Sequence, residues 1–167
     1  LALEAKNNTP VILLRDEGAR LMLPIWIAQP QAQAVLASLE ERTGRRPLTH
    51  ELFGHCFDAL GARVKAVQIY SLVKSTFYAR FQLEDSAGQE VTVECRPSDG
   101  ISVALRAECP IMVERGVLRA AHTMGTEDGE EPEPETPFVF DDDAAGLQRL
   151  MDGLAAMDPA DFGKFET

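Results

Sequence analysis

Between Thr76 and Ala107 the sequence alternates in two successive runs and then takes a helical period, and few architectures accommodate that. Thr76 to Leu83 alternates, with Phe77, Ala79, Phe81 and Leu83 on one side, the period of a half-buried strand. Asp85-Ser86-Ala87-Gly88 is turn chemistry, and Glu90 to Cys95 alternates again, so the two runs predict a hairpin. Pro97 cannot donate to a strand ladder and ends the second run. From Ser98 to Ala107 the apolar residues Ile101, Ala104 and Leu105 take a helical spacing, and Ser98 is a suitable N-cap. The polar residues of Arg96-Pro97-Ser98-Asp99 therefore sit at a strand-to-helix junction.

The flanking segments give a mixed pattern. Thr9 to Arg15 reads as a buried strand, and Arg20 to Ile27 as its hairpin partner, with Pro24 marking an edge or a bulge. Gln31 to Arg42 reads as a helix with Val35, Leu36 and Leu39 on one face, closed by Gly44. Thr49 can cap a further helix whose apolar stripe is Leu52, Phe53, Cys56, Phe57 and Leu60, with Gly61 as its stop signal. Val64 to Tyr70 is a strand, Ile111 to Val113 a short one behind Pro110, and Glu114 to Ala121 a short helix. Strands and helices do not alternate strictly, so the expected class is α+β, a single domain with an antiparallel-rich sheet and packed helices.

Charge divides the chain. Of 27 acidic side chains 13 lie beyond Met124, but only 2 of the 16 basic ones do. Residues 1–124 are therefore formally neutral, and residues 125–167 carry the whole net charge of −11. We expect a domain over 1–124, an acidic Pro/Glu-rich linker over 125–143 and a C-terminal amphipathic helix and tail over 144–167. In that helix Leu147, Leu150, Met151, Leu154 and Met157 share one face, behind the acidic cap Asp141-Asp142-Asp143. Such a face must be buried, on the chain's own body or on a partner. A neutral body lacks the basic footprint of a tight nucleic-acid binder, but it is compatible with an enzyme whose charge is local.

Other classes are disfavoured. No run approaches the length a membrane helix requires, and no signal peptide is visible, so the expected location is cytoplasmic with no membrane association. Cys56, Cys95 and Cys109 lack paired spacing and are expected as buried free thiols. His50, His55 and His122 lack metal-ligand spacing, and His50 and His55, five apart on one helix, point to different faces. Trp26, in an apolar strand, is expected in the core or a subunit interface rather than as an exposed stacking platform.

The Arg96 junction can bind an anion, because a helix N-terminus offers free N–H groups and Arg96 adds a full charge. Its plain alternative is a well-capped helix whose arginine pairs with a nearby acid. If Asp99 and Glu94 face one cleft, they could hold Mg²⁺ or Mn²⁺ through oxygen ligands; otherwise Asp99 is a first-turn acid and Glu94 the outward face of a strand. His50 is a candidate acid or base, its ordinary pKa lying near neutrality. Arg45 and Arg46 precede it and could contact phosphate.

Four segments in order, Leu23-Pro24-Ile25-Trp26-Ile27, Arg46-Pro47-Leu48-Thr49-His50-Glu51-Leu52, Thr76-Phe77-Tyr78-Ala79 and Arg96-Pro97-Ser98-Asp99-Gly100-Ile101-Ser102-Val103-Ala104-Leu105-Arg106, resemble the bifunctional nuclease domain family over residues 9–121. A weaker match runs from Leu147 to Phe162. The resemblance implies cleavage of RNA and DNA by compact α+β protomers that associate as homo-oligomers, expected as dimers. Three positions depart from the family, two of them after Leu-Pro-Ile-Trp-Ile, where its usual Gly and Glu are Ala28 and Gln31 here. An amide cannot act as a carboxylate base. Gly100, where the family has Ala, is expected only to loosen the helix start.

The expected function is thus a metal-assisted nuclease of low sequence specificity, weakly binding RNA or DNA, without an organic cofactor. Asp99, Arg96 and His50 are its catalytic candidates, Arg96, Ser98 and Arg46 its phosphate contacts, and Asp99 and Glu94 its metal ligands. The alternative is a non-enzymatic binding or regulatory module that engages a protein partner through the acidic tail and C-terminal helix.

Overall fold

The computed structural model describes residues 2–3, 10–15 and 22–124. The expected linker and C-terminal helix, and the turn expected between residues 16 and 19, lie outside the described residues. Seven strands and four helices are described: β1 (Ala2–Leu3), β2 (Pro10–Arg15), β3 (Met22–Trp26), α1 (Gln29–Leu39), α2 (Thr49–Ala59), β4 (Arg63–Val73), β5 (Thr76–Glu84), β6 (Glu90–Cys95), α3 (Pro97–Ala107), β7 (Ile111–Val113) and α4 (Arg115–Met124).

The strands form two sheets. One is antiparallel, in the order β1-β2-β3; the other has the order β6-β5-β4-β7, antiparallel except where β7 runs parallel to β4. This is the α+β class expected. Pro24 lies on β3, at the end of its sheet, opposite Leu13. The β5–β6 hairpin has the expected register, Ala79 facing Cys95 and Phe81 facing Val93. Gly88 supplies the positive φ of its turn.

One core joins both sheets. Ile12, Leu23, Ile25 and Ile27 meet Ile69, Phe77 and Ala79 across Ala32 and Val35 of α1, Ile101 of α3 and Val117 of α4. A second cluster packs Val103 and Ala104 of α3 on Val67, Phe81 and Leu83. Trp26 is buried in β3, in keeping with a core role. At Gly100 the first turn of α3 lies so close to β4 that a Cβ would stand 2.7 Å from Val67 Cγ1 and 3.1 Å from Cys95 Sγ. The glycine thus permits a close approach; loosening the helix start is not its main consequence.

The helix faces differ from expectation in three places. The α1 face buries Ala32, Val35 and Ser38, while Leu36 and Leu39 are exposed. Periodicity locates a stripe but not its edges, and Ser38 is drawn inward by Arg106, whose Nε donates to its hydroxyl at 3.2 Å. The α2 helix buries no residue. It leans on the body through the half-buried His50, Glu51, Gly54 and Phe57, and turns Leu52, Phe53, Cys56 and Leu60 outward. Only Phe57 of the expected stripe packs inward, edge-on to Phe81 with ring centroids 6.0 Å apart. Cys56 is correspondingly exposed rather than buried, whereas Cys95 and Cys109 are partly buried.

Candidate functional site

The junction between β6 and α3 is built as expected in outline and shifted by two residues in detail. Pro97 is the first helical residue and Arg96 the N-cap, in extended backbone at φ −71° and ψ 147°. Proline suits that position, where an N–H would have no helical partner. Ser98 is consequently inside the first turn, 3% exposed, and does not cap it. Its carbonyl accepts from the Ser102 hydroxyl at 2.8 Å.

Asp99 occupies the third helical position and is the hub of the site. Arg96 donates to it through two nitrogens, Nε to Oδ2 at 2.6 Å and Nη2 to Oδ1 at 3.1 Å. His50 Nε2, from the first turn of α2, lies 3.1 Å from the same Oδ1. Burial works to raise the Asp99 pKa, but the His50 hydrogen bond and the Arg96 guanidinium outweigh it and hold the carboxyl below its ordinary value. An ionised carboxylate only accepts, so the ring nitrogen facing it carries the proton. His50 therefore donates from Nε2, and in its neutral form Nδ1 holds the lone pair. Its side chain is 15% exposed and that of Asp99 25%, whereas Arg96 is 60% exposed. The cation faces solvent with donors to spare, and the acid and imidazole sit behind it.

The remaining candidates are dispersed. Glu94 precedes Cys95 on β6 and, by the alternation of a strand, projects to the opposite sheet face. There it accepts from the Tyr70 hydroxyl, and Arg80 stacks 4.8 Å over the Tyr70 ring. Asp99 and Glu94 are not brought together. Among the described residues no three His, Cys, Asp or Glu side chains converge on a possible metal position. Both Asp99 oxygens already accept hydrogen bonds, so a hard cation there would have to displace Arg96 or His50. The donors present fit Mg²⁺ or Mn²⁺ poorly. Arg46 is exposed in the loop before α2.

Two residues that lie within the family-like segments but are not among the site candidates hold the helices in place. Arg106, on the last turn of α3, donates to the Ala37 and Arg42 carbonyls at 3.3 and 3.1 Å besides Ser38, and its Nη1 lies 4.0 Å from Glu51 Oε2. Glu51 in turn accepts the Leu48 N–H at 3.1 Å, which makes Leu48, not Thr49, the cap of α2. His50 is thereby aimed at Asp99 while its neighbour Glu51 is aimed at Arg106, as the divergence of adjacent helical residues requires. Gln31 does for α1 what Glu51 does for α2: its Oε1 accepts the Ala28 N–H at 2.8 Å. That capping role needs an oxygen acceptor and not a charge.

Residues 11–125 match the bifunctional nuclease domain, a stretch that contains β2 but for its first residue, every element from β3 to α4 and all of the site. The chain belongs to the bifunctional nuclease domain family. It is 34% identical to an uncharacterised protein of Mycobacterium tuberculosis over 162 residues, 97% of this chain and 93% of that protein. Bifunctional nuclease 1 of Oryza sativa subsp. japonica is 28% identical over 145 residues, 84% of this chain but 43% of the plant protein. Bifunctional nuclease 1 of Arabidopsis thaliana is 26% identical over 107 residues, covering 33% of its length. The stretch similar to this chain is thus about a third to under a half of these plant nucleases, while the mycobacterial similarity spans nearly the whole of both chains.

Proposed function

We propose that this chain is a nuclease that hydrolyses phosphodiesters of RNA or DNA with low sequence specificity, at the Arg96–Asp99–His50 cluster. The observation that carries the reading is the exposed, carboxylate-oriented Arg96 beside a histidine held by the same carboxylate, within the segment matched by the nuclease family. Hydrolysis requires charge stabilisation on the phosphoryl oxygens, a base for the attacking water and a proton for the leaving oxygen.

Arg96 binds the phosphate through the guanidinium N–H groups that Asp99 leaves free, beside the positive end of α3; Ser98, 3% exposed, is too buried for the phosphate contact expected of it. Asp99 fixes Arg96 in direction and His50 in tautomer. As the water oxygen bonds to phosphorus its proton passes to His50 Nδ1, the bond from phosphorus to the leaving sugar oxygen breaks, and that oxygen takes a proton from solvent. Arg46, exposed on the loop leading into α2, adds an electrostatic contact to a neighbouring phosphate. Low specificity is in keeping with a backbone-directed site, since phosphate contacts carry no base identity. Because the carboxylates present fit a divalent cation poorly, no step depends on one here, and metal dependence becomes something to measure.

The test uses the purified full-length chain and its Asp99→Asn variant, with single-stranded RNA and DNA, in Mg²⁺, Mn²⁺ or EDTA. Cleavage that the substitution reduces by about 10²-fold or more, with circular dichroism unchanged, supports the site. Cleavage indifferent to the substitution moves the site elsewhere, and EDTA-insensitive cleavage agrees with the poor metal fit.

A further inference from the structure

The β5 strand sorts its side chains onto two faces. Phe77, Ala79, Phe81 and Leu83 enter the core clusters, so by alternation Tyr78, Arg80 and Gln82 stand on the other face. In both clusters the helices pack on the first face. On the second, the Tyr70 and Tyr78 rings lie with centroids 6.4 Å apart, and Arg80 stacks 4.8 Å over Tyr70. Arg80 is itself fixed, its Nε donating to Gln68 Oε1 at 2.9 Å. Tyr70 is thus half-buried and already stacked upon. Tyr78 is 40% exposed and, with Phe53, one of the exposed aromatic rings among the described residues.

The register brings Tyr78 to the Arg96 junction. Ala79 faces Cys95, so Tyr78 and Arg96 are the next positions along the same ladder, and Arg96 keeps an extended backbone. Side chains so opposed on neighbouring strands start about 5 Å apart. Cys95 packs on the core, so Arg96 leaves β6 on the Tyr78 face. An exposed ring therefore stands beside an exposed guanidinium.

We propose that Tyr78 is the platform on which a base of the bound strand stacks while Arg96 holds that strand's phosphate, which makes the substrate class single-stranded RNA or DNA. The inference rests on the phosphate role proposed for Arg96. Every base has a π-face, so a stacking ring accepts bases without sequence preference, whereas the bases of a duplex must leave their stack before they can use it. The charges around the ring permit a polyanion. Glu94 accepts from the Tyr70 hydroxyl and faces Arg80 across the ladder. Glu114 accepts from Gln68, Glu84 is paired with Arg63 and Lys65, and Asp99 with Arg96. Glu90 stands at the far end of β6, and Lys74 is exposed at the β4–β5 turn.

The test measures, by fluorescence anisotropy in EDTA, the binding of labelled oligonucleotides of about twelve nucleotides to the purified full-length chain. A phosphorothioate backbone resists cleavage, and a base-bearing strand is compared with an abasic strand of the same length. Tyr78→Ala should weaken the base-bearing strand about tenfold and leave the abasic one within about twofold. Tyr78→Phe, which keeps the ring, should bind both as the unaltered chain does, and Arg96→Gln should weaken both. A duplex of the same sequence should bind about tenfold more weakly than the single strand; equal affinity overturns the single-strand assignment. A Tyr78→Ala loss equal on both strands overturns the proposal, because stacking is not what was lost, and so does unchanged affinity for the base-bearing strand. A base-dependent loss in Phe53→Ala with none in Tyr78→Ala moves the platform to α2, against the proposal. If Arg96→Gln binds both strands as before, the phosphate site itself fails, and the inference with it, whatever Tyr78 does.

Discussion

At the scale of the residue, Asp99 connects stability to chemistry. Its carboxyl titrates below the ordinary value because His50 and Arg96 outweigh the effect of burial. A depressed carboxylate contributes stability that is fully present above its unfolded pKa of about 4 and is lost as pH falls through the lower folded value. Urea unfolding as a function of pH should therefore show an acid limb that is shallower in Asp99→Asn, and the substitution should cost about 1–2 kcal/mol at pH 7, given that Arg96 is largely solvated. An unchanged acid limb would mean that the ion pair contributes nothing net. Gly100 offers a second residue-scale prediction. Alanine there gains up to about 1 kcal/mol in helix propensity but meets Val67 Cγ1 at 2.7 Å, and overpacking of a filled core costs about 1–3 kcal/mol. The clash involves a branched core side chain, so Gly100→Ala should lower the urea midpoint.

At the scale of the element, the two inner glycines of α2 and α3 should behave oppositely. Nothing lies within 4 Å of a Cβ built on Gly54, so Gly54→Ala in α2 should stabilise by about 0.5–1 kcal/mol through helix propensity and a less disordered unfolded chain. Thermal melts of the two alanine variants should thus shift in opposite directions. A downward shift for both would indicate that α2 is packed against something at Gly54. The element scale also shows what a pattern conveys. The Asp85–Gly88 turn fixed the β5–β6 register locally, because turn length and alternation act over a few residues. The stripe of α2 was equally plain in the sequence, yet it faces outward, because which face a helix offers to its neighbours depends on residues distant in sequence: Asp99 for His50, Arg106 for Glu51 and Phe81 for Phe57.

At the scale of the whole molecule, the shared core predicts cooperativity. Ile12, Leu23 and Ile25 from one sheet contact the same cluster as Ile69, Phe77 and Ala79 from the other, so the described core of the smaller sheet is shared with the larger one. Trp26, the sole tryptophan, reports on the smaller sheet, and far-ultraviolet circular dichroism reports on all the helices and strands. Their urea transitions should coincide, as for a two-state unit; an earlier fluorescence transition would show that the β1-β2-β3 sheet unfolds separately. Ile69, fully buried between the layers, should cost about 2–5 kcal/mol when replaced by alanine and shift both probes together.

The sequence alone established the α+β class, most strand and helix positions, the strand-to-helix junction at Arg96 and the family to which its motifs belong. These follow from interactions of short range: side-chain alternation, proline's missing N–H and turn chemistry. Only the tertiary structure decided which candidates share a site. It brought His50 across 49 positions to Asp99 and placed Glu94 with Tyr70 on the other side of the sheet, since strand alternation separates adjacent residues while helix packing joins remote ones. It also turned the apolar stripe of α2 to the outside, because the charged and polar contacts of its first turn, made to α3, outweigh what periodicity alone would bury.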